Sequence, residues 1–227
     1  MGFSGLVARE PLCTEIPYNL NVRTVIETPS FQKQAEKLWT EDERLAFIDW
    51  IAENPLAGDV IPGADGARKV RWSRSGSGKS GGARVIYFNL TVQEVVLLIA
   101  AYAKADRDNM LPAASKRWRD MSIKKIDIDK VAAAIEADAG ELLPDLRQAL
   151  AEAKAGHGRV TTPEQILVRQ AREKSGLTQA AFAERIATPV ATLRDWEQGR
   201  FTPPGGVVCL LRLIVKHPEL SQELSTA

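Results

Sequence analysis

Between Gly176 and Gly199 the sequence leaves room for one local arrangement: a helix, a tight turn and a second short helix. Gly176-Leu177-Thr178-Gln179 opens the first helix, with Phe182, Ala183 and Ile186 recurring on one side. Ala187-Thr188-Pro189 turns the chain, and Val190–Gln198 forms a second helix that Gly199 ends, glycine being the common helix stop. Leu193 and Trp196 fall on one face of that helix and are assigned to packing. Upstream, Thr162-Pro163 starts a helix over Glu164–Ser175, with proline at its first position.

The first half reads differently. Val22–Thr28 is β-branched and predicts a strand; Ser30 then caps a helix from Phe31 to about Trp39. Thr40 with Glu43 makes a capping box for a second helix, stopped at Asn54-Pro55. Arg68–Ser73, Ala83–Leu90 and Glu94–Tyr102 predict further strands, with Ser75–Gly82 as a loop between the first two. The near-continuous apolar run of the last strand places it centrally in its sheet. Pro112 opens a short helix through Trp118. The expectation is a helix hairpin on one face of a mainly antiparallel sheet, an α+β domain, followed by an all-α domain. Residues 1–21 form a lead-in, 22–120 the α+β domain, 121–155 an acidic helical arm and 156–227 the final domain. Within the arm, Asp129 is expected to cap a helix over Lys130–Asp138, and a second helix covers Glu141–Ala155. Gly156-His157-Gly158 is a break. Met121 reads like the start of a separate protein.

A formal net charge of +1 hides a division. From Gly66 to Gln93 no acid occurs, while Arg68, Lys69, Arg71, Arg74, Lys79 and Arg84 do. From Ile126 to Asp145 six acids stand against Lys130 alone. Such blocks predict two surfaces made for each other, or one made for a polyanion. Cys13 and Cys209, and likewise His157 and His217, are isolated, so neither a metal site nor a histidine-based dyad is expected, and no cofactor is called for. From the charged and proline-broken start no signal peptide is expected, and no apolar run approaches the ~20 residues of a membrane span, which makes the cytoplasm the expected location. Gly78-Lys79-Ser80 imitates the end of a phosphate-binding P-loop, but position 73 is Ser where that motif needs glycine, and a strand follows instead of a helix.

The string LTQAAFAERIATPVATLRDWEQGR has the spacing of the helix-turn-helix DNA reader and resembles the phage-repressor-like class, in particular HigA-type antitoxins. The resemblance implies a domain that binds operator DNA as a homodimer and represses its own transcription. It places Gln179 at the phosphate edge and Pro189, Val190, Ala191, Arg194 and Asp195 toward the groove, the apolar pair suiting thymine methyls. Ala187 stands where glycine is common.

The helix hairpin, GDVIPGADGARKVRW, the Gly/Ser/Lys loop, ARVIYFN and VVLLIAAYAKADRDN resemble RelE/HigB-type toxins over about residues 22–119. These toxins cut mRNA on the ribosome without a metal. The RNA's own 2′-hydroxyl attacks the adjacent phosphate, so orientation and charge stabilisation by arginine and lysine suffice. The resemblance implies catalytic roles for Lys79, Arg84 and Lys104 and RNA binding by Arg68, Arg71 and Arg74. Tyr102 lies earlier than the tyrosine that some members place after the last strand, and takes no assigned role. The expected whole is a toxin–antitoxin fusion, its nuclease held inactive by the acidic arm. The rival expectation is a helix-turn-helix regulator whose first half is catalytically dead and serves sensing or dimerisation.

Overall fold

The computed structural model describes residues 22–72, 82–103 and 123–224. Among the described residues six strands form one mixed sheet: β1 (Thr24–Glu27), β2 (Asp59–Val60), β3 (Arg68–Trp72), β4 (Ala83–Leu90), β5 (Val95–Ala103) and β6 (Arg159–Thr161), in the order β2-β3-β4-β5-β1-β6. β1 runs parallel to β5 and every other pairing is antiparallel. β5 is central, as its apolar run requires, because both of its faces are covered. A register shift at Ile86/Tyr87 lets Ile99 and Ala100 of β5 face the same side.

One face carries α1 (Pro29–Leu38) and α2 (Glu41–Glu53), whose Phe31, Phe47, Ile48 and Ile51 pack on Val85, Tyr87, Val96 and Leu98. The capping box at Thr40 and Glu43 forms as the sequence requires. The cap of α1 is Thr28, whose hydroxyl accepts from the Phe31 N–H at 3.2 Å, and not Ser30. Pro29 explains the shift: its fixed φ and missing N–H suit the first helical position, so the cap moves ahead of it. The Ser30 N–H is met instead by the Glu152 carboxylate at 2.9 Å.

The opposite face is also covered, which corrects the expectation of helices on one side only. There lie a 3₁₀ turn (Ile123–Lys125), α3 (Ile128–Ala139) and α4 (Leu146–Ala155). Ile126, Val131, Ile135, Leu146 and Leu150 are buried against Ile86, Phe88, Leu97 and Ile99. Asp127, not Asp129, caps α3. Pro144 and the left-handed Asp145 (φ 63) delay α4 to Leu146, five residues beyond the expected Glu141 start.

The residues after the expected break form β6, which extends the sheet beyond β1. Gly158 permits that approach: a Cβ there would sit 2.6 Å from Ile26 Cγ2 and 2.7 Å from the Glu27 carbonyl oxygen. The last helices are α5 (Pro163–Ser175), α6 (Gln179–Arg185), α7 (Val190–Glu197), α8 (Gly205–Lys216) and α9 (Leu220–Glu223). They close around Leu167, Val168, Ala171, Phe182, Leu193, Trp196, Leu211 and Ile214. α5 serves two cores, because Ile166 on its other side joins the α2–sheet cluster. The chain is thus a mixed α/β region followed by a helical helix-turn-helix region.

Candidate functional site

Strand parity decides which basic residues share a surface. On β3, Val70 and Trp72 face α2, so Lys69 and Arg71 face the other way; on β4, Ala83 and Val85 face α2, so Arg84 joins them. Cross-strand register sets Arg71 opposite Arg84 and Arg84 opposite Tyr102. Lys69, Arg71, Arg84 and Tyr102 therefore lie on the face that α3 and α4 cover. Asp138 near the end of α3 forms an ion pair with Lys69. The Tyr102 hydroxyl is buried with no hydrogen-bond partner among the described residues. Burial pushes its pKa up to about 12; Arg84 pulls the other way, while Asp138 and Glu141 add to the rise.

Arg68 does not belong to this surface. It has the parity of Val70 and Trp72, is 8 % exposed, and donates from Nη2 to the Leu56 carbonyl at 2.7 Å, beside Tyr87. Arg74, Lys79 and Lys104, with the expected helix from Pro112 to Trp118, lie outside the described residues. Tyr102 takes no role in the sequence because it precedes the end of the last strand; the β4–β5 register is what sets it opposite Arg84.

In the second region the Thr178 hydroxyl caps α6 by accepting from the Ala181 N–H at 3.3 Å. Ala187 adopts φ 50 in the turn, and the Thr188 N–H closes onto the Ala183 carbonyl at 2.8 Å. Pro189, Ala191 and Arg194 are exposed along α7, whereas Val190 is half-buried against the local core. Asp195 accepts from Arg200 at 2.9 Å. Arg194 donates from Nε to Gln179 Oε1 at 2.8 Å, and Gln179 donates from Nε2 to Glu197 Oε2 at 2.6 Å. The other carboxylate oxygen of Glu197 accepts from Arg172 Nε at 2.7 Å. Glu197 thus organises the face, and the sequence reading did not single it out. The signal was there: an acid in the last turn of a helix sits against the negative end of the dipole, so it needs a cationic partner.

Among the described residues no group of three His, Cys, Asp or Glu could hold a metal, and no helix is long and apolar enough to cross a membrane.

The helix-turn-helix domain family matches residues 166–212, which contain α6, the turn and α7. The C-terminal region is also similar to Antitoxin HigA-2 of Vibrio cholerae serotype O1 (strain ATCC 39315 / El Tor Inaba N16961). Identity is 34% over 94 residues, covering 35% of this chain and 88% of that protein.

Proposed function

The chain belongs to the HigA antitoxin family through its C-terminal region, and from that premise we propose that it is a self-neutralised toxin–antitoxin fusion. Residues 22–120 are a RelE/HigB-type, ribosome-dependent mRNA endonuclease; residues 121–155 are its neutralising arm; residues 156–227 bind operator DNA as a homodimer and repress transcription. The observation that carries this reading is the position of α3. It lies over the sheet face that holds Lys69, Arg84 and Tyr102, with Asp138 on Lys69. A basic face set to grip a phosphate backbone cannot receive one while an acid-bearing helix occupies it.

The chemistry asks little of the protein. The 2′-hydroxyl oxygen attacks phosphorus, the bond to the 5′ oxygen breaks, and one proton leaves the nucleophile as another reaches the leaving oxygen. Arg84 would stabilise the added charge on phosphate; Lys79 and Lys104 remain the candidates for the two proton positions. Arg71 and Arg74 would hold the flanking RNA. Arg68, buried on the other face, is removed from that role. In the DNA-binding region, the exposed Ala191 and Arg194 reach the groove and Gln179 the phosphate edge, with Pro189 and Val190 at the turn end of α7 and Asp195 near its other end. Phe201 and Leu213, both large and exposed, support pairing with a second copy.

Expression of residues 1–120 alone tests the enzyme. Growth should arrest, ribosome-bound mRNA should be cut, and Arg84→Ala should relieve both. A soluble, folded fragment without either effect would leave a helix-turn-helix regulator with a non-catalytic first half.

A further inference from the structure

The two regions meet at a buried ion pair whose guanidinium also reaches the DNA-reading helix. Arg169 of α5 and Asp49 of α2 are 4 % and 7 % exposed, and Arg169 grips the carboxylate with two edges, Nε to Oδ2 at 3.2 Å and Nη2 to Oδ1. Its remaining nitrogen, Nη1, donates to the Glu197 carbonyl at 3.4 Å, at the end of α7. The Glu197 carboxylate in turn holds Gln179, and Gln179 holds Arg194. A continuous set of hydrogen bonds therefore runs from the α/β region to the exposed arginine of the reading helix.

A buried ion pair adds little net stability over well-packed apolar residues, because desolvation of both charges offsets their attraction. Its distinctive property is geometric: a bidentate carboxylate fixes the plane of the guanidinium, and with it the direction of the third donor. Without Asp49, Arg169 is drawn to the nearby carboxylates of Glu173 and Glu197 on its own region, and the grip on the α7 backbone is lost.

We propose that Asp49, in the α/β region, is a positioning residue for DNA recognition, which orients α7 through Arg169 and Glu197. The inference rests on the DNA-binding function proposed above and extends it: sequence discrimination belongs to the whole chain and not to the helix-turn-helix region alone.

The test uses the full chain and a DNA duplex enriched by the wild-type chain from a random library, against a scrambled duplex at one salt concentration. Asp49→Leu with Arg169→Met removes both charges together and leaves none buried unpaired, so folding is retained. Asp49→Asn is the single-site companion; it leaves the buried Arg169 charge without its carboxylate and should melt below the wild type while staying folded at the assay temperature. The double variant should unfold at a temperature close to the wild type, and each should lose roughly threefold to thirtyfold in the ratio of specific to scrambled affinity. Glu53→Gln loosens a second contact of the same interface, the 2.7 Å bond from Gln170, and should leave the ratio unchanged. Folded Asp49 variants with the wild-type ratio would overturn the assignment, as would an equal loss in Glu53→Gln, which would give the effect to docking in general. If the wild-type chain enriches no duplex, the DNA-binding function itself fails, and this inference falls with it.

Discussion

Tyr102 reports on whether the arm is in place. Its hydroxyl is closed off beneath α3, and burial raises its pKa to about 12 from an ordinary 10. The folded state therefore favours the neutral phenol more than the unfolded chain does. That contribution is fully present below pH 10 and is lost as pH rises through 12. Unfolding free energy should fall across this window, and Tyr102→Phe should flatten the fall. An alkaline absorbance titration of the variant should also lack one late phenol among the chain's 3 tyrosines. A missing phenol that titrates near 10 instead of late would mean that the hydroxyl is open to solvent. Arg68 shows what such single positions require of a sequence reading. Grouped by charge, it joins the basic window; counted by the alternation that puts Val70 and Trp72 inward, it belongs to the buried side.

At the scale of elements, the turn between α6 and α7 carries an identifiable strain. Ala187 is exposed and sits at φ 50, where a Cβ crowds the following carbonyl. Ala187→Gly relieves that cost of about 1–2 kcal/mol and gives part of it back through a freer unfolded chain, leaving a net gain of about 0.5–1 kcal/mol. The melting temperature should rise by about 1–4 °C; an unchanged or lower value would contradict the left-handed turn. This turn was legible from the residues, as were the capping box at Thr40 and the central run of β5, because each depends on side chains close in sequence. β6 was not. Arg159-Val160-Thr161 is too short to show a period, and its partner, β1, lies far upstream. Asp49 and Arg169 were illegible for the same reason: α2 and α5 come together only in the folded chain, so the pairing of their charges cannot be read from either segment. The second helical layer was half-legible. The Ile and Val spacing of 126–135 marks an apolar seam, but only the structure shows that the sheet is what it covers.

For the whole molecule, the question is whether charge or apolar contact holds the arm on the sheet. The blocks of basic and acidic residues invite the first answer. The geometry argues for the second. Lys69 and Asp138 are 22% and 27% exposed, and a pair so open to water contributes about 0.2–1 kcal/mol. A single fully buried Ile or Leu contributes about 1.5–3 kcal/mol, and the seam holds several: Ile126, Val131, Ile135, Leu146 and Leu150. The β6–β1 pairing and the α5–α2 contact add further attachments that owe nothing to the chain between residues 104 and 122. The covalent link contributes proximity alone, converting the encounter of the two pieces into an intramolecular one. A protease site placed near Met121 should accordingly yield two pieces that still elute together, at 0.1 M salt and at 1 M, where the Debye length has fallen to about 3 Å. Ile135→Asp, which sets a charge in the seam, should release them at either salt. Separation of the wild-type pieces at 1 M but not at 0.1 M would return the interface to its charges, and with it the acidic arm to the role of an electrostatic mimic of RNA.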